Sequence, residues 1–242
     1  MNPFLTSLRE TVVPVPGGRH GPLPPLLLGL TVVTGLVDAF SYLVLGHVFV
    51  ANMTGNVVFL GFALAGAPGF SIAASAVAIV AFGCGALAGG SIGVRLGHHR
   101  GRLLTATVSV QSLLLAASVV LAALHGQPVP AGFRYPLIVV LALAMGVQNA
   151  TARRLAVPDL TTTVLTLTIT GIAADSTTAG KSASAGRRTI SVVAMFVGAL
   201  VGAVFVLHVS IVLPLVTALV LLIGAAAIAG LRSRVDAPWV HP

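Results

Sequence analysis

The stretch "GHVFVANMTGNVVFLG", Gly46 to Gly61, decides how this chain folds. It continues an apolar run, yet it sets Asn52, Thr54 and Asn56 at every second position, with Met53 and Gly55 between them. In lipid every backbone N–H and C=O needs a partner, so backbone that leaves a helix must be buried in protein or line a wet cavity. Three polar side chains and a glycine inside an apolar segment therefore mark an interrupted helix. Gly55 permits dihedrals that other residues avoid. Asn and Thr side chains either cap the freed backbone groups or bind a solute there.

The surroundings of the stretch point to a membrane. Of 242 residues, 57% are hydrophobic and 7% charged, where soluble domains carry about 25% charged residues. The expected class is an all-α polytopic membrane protein with the lipid bilayer as its first partner. Thirteen basic against five acidic residues give a net charge of +8. Nucleic acid is not the reason, because the cations fall in short breaks between apolar runs, where they set orientation. Cys84 stands alone, so no internal disulfide forms. Residues 1–25 hold six prolines and no long apolar core, which reads as a disordered tail and not a secretory signal. Residues 232–242 form a second tail, with Trp239 as an interfacial anchor.

A spanning helix needs about 20 apolar residues. Eight apolar segments are visible, at about 26–46, 48–66, 70–94, 103–124, 136–151, 158–174, 189–208 and 210–231. They make one membrane domain over 26–231, with halves at 26–124 and 136–231. If all eight crossed, the cluster Arg95, Arg100, Arg102 and the pair Arg153–Arg154 would face outside, against the positive-inside rule. If 48–66 and 158–174 enter and return, about six crossings remain. Every such cluster and both termini then face the cytoplasm. A helix that crosses in two broken parts is the open alternative.

The halves also resemble each other. "TGLVDA" (34–39) aligns with "MGVQNA" (145–150) at an offset of 111, which sets Asp38 on Asn149. After a two-residue gap the offset becomes 109, and Thr54 meets Thr163, Gly89 meets Gly198 and Gly93 meets Gly202. An odd number of crossings per half inverts the second half, an arrangement common among secondary transporters. Gly85, Gly89 and Gly93, like Ala194, Gly198 and Gly202, are spaced four apart. Small residues at that spacing allow close helix approach, either between the halves or between copies in a homo-oligomer.

Asp38 is the one acidic residue deep in an expected span, and a charge there costs about 2.5–3.5 kcal/mol on insertion scales. It reads as a site for a small solute, cation or proton, or as a structural hydrogen-bonded carboxyl. The solute-binding candidates are Asp38, Asn52, Thr54, Asn56, Gln148, Asn149 and Thr163. His47 reads as interfacial, His98 and His99 as a solvated loop without a third metal ligand, and Arg153 and Arg154 as topology anchors. No Ser/His/Asp spacing, HExxH, P-loop or CxxC occurs, so neither an enzyme nor a cofactor is expected.

"TGLVDAFSYLVLGHVFVANMTGNVVFLG" and "AMGVQNATARRLAVPDLTTTVLT" resemble the signature stretches of the YoaK-type family of bacterial integral membrane proteins. The resemblance implies a bacterial inner-membrane protein of about six spans and carries no substrate or functional residue. The leading expectation is a small-solute transporter or channel-like protein. The alternative is a non-transporting scaffold or regulatory subunit whose polar residues serve folding alone.

Overall fold

The computed structural model describes residues 3–14, 17–125, 129–158, 160, 182–235 and 237–241. Segment 158–174, including Thr163, lies almost wholly outside them. Among the described residues the helices are α1 (Pro3–Val12), α2 (Leu23–Val44), α3 (Met53–Leu64), α4 (Ile72–Leu96), α5 (Arg100–His125), α6 (Ala131–Leu155), α7 (Ser182–His208) and α8 (Leu213–Arg232). Six of them, α2 and α4 to α8, are long and apolar enough to cross a membrane. A helix satisfies its own backbone, which is why apolar runs in lipid take this form. The chain is an all-α, multi-pass membrane protein. Side chains such as Val80, Leu87, Phe196 and Leu207 point out of the bundle, as a lipid-facing surface requires.

The bundle has two chemically different ends. At one, the His47 imidazole Nδ1 lies 3.1 Å from the Gly69 carbonyl oxygen, which joins the end of α2 to the start of α4. At the other, the Arg100 guanidinium donates to the Leu155 carbonyl, joining the start of α5 to the end of α6.

Two helix crossings hold the centre. Gly35 of α2 meets α7 so closely that a Cβ there would stand 2.5 Å from the Met195 carbonyl oxygen, and a Cβ on Gly198 would strike the Val32 carbonyl. On the opposite pair, a Cβ on Gly146 of α6 would strike the Phe82 carbonyl of α4, and one on Gly85 the Leu143 carbonyl. The outer contacts agree too. Gly202 faces Leu36 and Ala39, while Gly89 faces Val147 and Ala150. One contact is thus made twice, with partners 111 residues apart on α2 and α6 (36 to 147) and 113 apart on α4 and α7 (85 to 198). The sequence alignment had set that second offset at 109, pairing Gly89 with Gly198. The structure moves it by one helical turn, because a stripe with period four matches itself equally well after a four-residue slip.

Two peripheral expectations change. Residues 3–12 form helix α1, packed against α7, where an irregular tail was expected. Five of the six N-terminal prolines lie at or beyond position 14, and Pro3 opens the helix, where its missing N–H costs nothing. Ser7 and Thr11, one turn apart, are buried. Trp239 does not anchor at an interface. It is 5% exposed, and its ring packs on the bare backbones of Gly21 and Gly101.

Candidate functional site

After α2 ends, the chain turns back into the bundle. His47 is at the rim, yet the N–H groups of Val50 and Ala51 donate to Asp38 Oδ1 at 3.0 and 2.8 Å. Asp38 lies six residues before Val44, about 9 Å down the helix at 1.5 Å per residue. The twelve residues of α3 then rise about 18 Å, too short for a bilayer core of about 30 Å. They return the chain to the rim at Gly66–Ser71. The segment 48–66 is a re-entrant hairpin.

Asn56 closes this hairpin. Its side chain is fully buried, accepts from the Phe49 N–H at 2.9 Å and donates to the Phe49 carbonyl at 2.6 Å. One amide thus satisfies both backbone polar groups of a single residue. The Phe49 ring lies flat on α3, where a Cβ on Gly55 would stand 2.7 Å from it. Gly55 is helical, so it is required here for space and not for unusual dihedrals. Tyr42, Phe49 and Phe59 stack at centroid distances of 5.0 and 5.5 Å, and Phe70 joins at 5.1 Å. This aromatic layer seals the rim above the hairpin.

Asn52 is the residue before α3, but its side chain makes no capping bond. Asp38, from another helix, instead binds the Val50 and Ala51 N–H groups of the segment that leads into α3. Asp38 is 4% exposed, and its second oxygen, Oδ2, is buried with no hydrogen-bond partner among the described residues.

One turn before Asp38, Thr34 starts a second polar connection. Gln148 of α6 donates to Thr34 Oγ1 at 2.8 Å and to the Leu30 carbonyl at 3.2 Å. Gln111 of α5 donates to Gln148 Oε1 at 2.6 Å. Gln111 is 1% exposed, and its Oε1 is a second buried acceptor with no partner among the described residues. The core therefore ties α2, α5 and α6 through amides beside a carboxyl that holds the hairpin. Its uncommitted atoms are both acceptors.

Of the sequence candidates, Asp38 and Gln148 are placed in this core. Asn56 belongs to the hairpin but spends its amide on Phe49. Asn149 is half-buried and donates to the Met145 carbonyl. Thr54 is exposed at the start of α3. Thr163 lies outside the described residues. Sequence reasoning missed Gln111, although an amide within the apolar run "LLTATVSVQSLLL" (103–115) is the same kind of signal as Asp38. His99 is a helix cap, its Nδ1 accepting from the Arg102 N–H at 3.2 Å. Among the described residues no three of His, Cys, Asp and Glu come together.

Residues 26–228 match the family described as a protein of unknown function, DUF1275. The chain belongs to this family. The match runs from early α2 to late α8, so it takes in the hairpin and both crossings. The chain is also 31% identical over 154 residues to the UPF0700 transmembrane protein YoaK of Bacillus subtilis (strain 168), a match that covers 62% of this chain and 65% of that protein. No solved structure matches.

Proposed function

We propose that the chain is a small-solute transporter or channel-like protein of a bacterial plasma (inner) membrane, with its site at the hairpin tip between α2, α5 and α6. The observation that carries this reading is Asp38, which spends one oxygen on the hairpin and keeps the other buried without a hydrogen-bond partner among the described residues. A buried acceptor without a donor costs about 1–3 kcal/mol. Asp38 Oδ2 and Gln111 Oε1 are two such acceptors among the described residues, and a bound solute would offset that cost. Acceptors select for donors, so the fitting solute is a proton, a small cation or a molecule rich in N–H or O–H groups. Residues Leu23–His125 and Ala131–Arg232 would be inverted halves with both termini in the cytoplasm. The glycine crossings would be the smooth surfaces on which one half rocks against the other, exposing the site to each side in turn.

A second reading has its own support. Asn56 and Gln148 are fully engaged within the protein, as a scaffold or regulatory subunit would have them. Water access separates the two. Cysteines at Ala51 and, separately, at exposed His98 are placed in a Cys84→Ala background and treated with a small charged thiol reagent. The transporter reading expects position 51 to react from at least one side and position 98 to react only once the membrane is opened. If position 51 stays inert from both sides while position 98 reacts, the hairpin tip is dry and the scaffold reading replaces it.

A further inference from the structure

The basic end of the bundle holds two adjoining cavities of about 270 and about 280 Å³. Both are lined by Arg19 and His20. The first adds Glu10 and Arg187, the second Arg100 and Arg154. We infer that together they form a binding site for a phosphate-bearing anion, either a free phosphate or phosphomonoester or the head group of an anionic lipid.

The positive-inside rule accounts for cations at this end. It does not account for their convergence. Arg95, Arg102 and Arg153 carry the same charge at the same end, and none of them lines either cavity. Arg100, in contrast, is 7% exposed and is fixed by its bond to the Leu155 carbonyl. The Arg154 guanidinium is pressed onto the α4–α5 turn, its Nε 3.0 Å from where a Cβ on Gly97 would stand. His20 Nδ1 is buried at the junction of the two cavities with no partner among the described residues. No carboxylate among the described residues pairs with Arg19, Arg100 or Arg154, and Glu10, in the first cavity alone, is exposed. Like charges held together repel, and an anion between them reverses that sign.

The donor set selects phosphate. Guanidinium forks bind phosphate through two parallel N–H bonds and are less hydrated than an ammonium. Each cavity lies just below the range of about 300–1,000 Å³ that holds drug-sized ligands. A single phosphate group fits each one, and a bulky nucleotide does not.

The test uses the full chain in a neutral detergent, with inorganic phosphate titrated by calorimetry at an ionic strength held constant with chloride. A second arm places the protein in nanodiscs of phosphatidylcholine with and without phosphatidylglycerol and counts retained lipids by native mass spectrometry. The variants are Arg19→Gln with Arg154→Gln together, which spare the Arg100 cap, and Arg102→Gln with Arg153→Gln together as the control of equal charge. The expected result is phosphate binding that weakens about tenfold or more in the Arg19/Arg154 variant, as loss of charge-assisted hydrogen bonds predicts, and is unchanged in the control. Retention of phosphatidylglycerol alone, lost in the Arg19/Arg154 variant, keeps the site and assigns its phosphate to lipid. Binding of neither ligand, or equal loss in the Arg19/Arg154 variant and the control, overturns the proposal.

Discussion

Replacing Asp38 with alanine tests the hairpin most directly. The carboxylate supplies the acceptor for two peptide N–H groups, those of Val50 and Ala51. Alanine leaves both groups buried in a part of the protein that lipid surrounds. At about 1–3 kcal/mol for each orphaned donor, the loss should be about 2–6 kcal/mol. That corresponds to a fall in thermal midpoint of very roughly 5–20 °C at about 2–4 °C per kcal/mol for a chain of this size. Asp38→Asn keeps a side-chain oxygen where Oδ1 stands, so it should retain most of this stability while losing the charge. The assay is thermal unfolding in detergent followed by circular dichroism, with a cysteine at Ala51 reporting on the hairpin. A competing expectation exists, because side-chain hydrogen bonds between membrane helices average only about 0.6 kcal/mol, the unfolded chain finding other partners. If Asp38→Ala costs that little and position 51 is no more reactive than before, the hairpin is not held by Asp38.

The other predictions are smaller in scope. Gly198→Leu and Gly85→Leu should each abolish a well-folded, monodisperse protein, because a Cβ at either position already collides with a carbonyl of the facing helix. Gly90→Leu, where a Cβ meets nothing within 4 Å, should change stability by no more than about 0.5 kcal/mol; size-exclusion profiles and melting midpoints check all three. Gln111→Ala leaves Gln148 Oε1 without its donor and should cost about 1–3 kcal/mol, read by the same melting assay. Burial first, then the neighbouring Arg100, Arg19 and Arg187 cations, lower the His20 pKa below its ordinary 6.5. Above that value His20 is neutral whether the chain is folded or not. As pH falls through it the unfolded chain takes up the proton more readily, so stability should drop on acidification, and the drop should shrink in His20→Gln.

Much of the fold is legible in the sequence because lipid leaves few options. Apolar runs of the right length become spans, and the alternation of Asn52, Thr54 and Asn56 exposes the interruption between them. The division of labour at that interruption is not legible. The three polar residues look alike in sequence, yet Asn56 clamps the hairpin, Asn52 makes no side-chain capping bond, and Thr54 is exposed. Those differences come from where α2 stands relative to α3, which local spacing does not encode. Register fails for a related reason, since Gly85, Gly89 and Gly93 are interchangeable until a facing helix picks among them. Gln111 is visible as an amide in an apolar run, but its partner Gln148 lies 37 residues away, which local spacing does not encode.

The reciprocal crossing has a consequence for how the protein is made. Helix α2 packs on α7 and α4 on α6, so neither glycine seam closes within residues 23–125 or within residues 131–232 alone. Gly35 waits for Gly198, 163 residues downstream (35 to 198). At about 5–20 residues per second of synthesis, that wait lasts roughly 8–30 seconds. Throughout it α2 stands in the bilayer with a bare notch. A nascent chain halted after α6 would present that notch to the insertion machinery or to quality-control proteases, while the α4–α6 crossing was already shut. Completion of α7 is therefore the moment at which the notch on α2 can close.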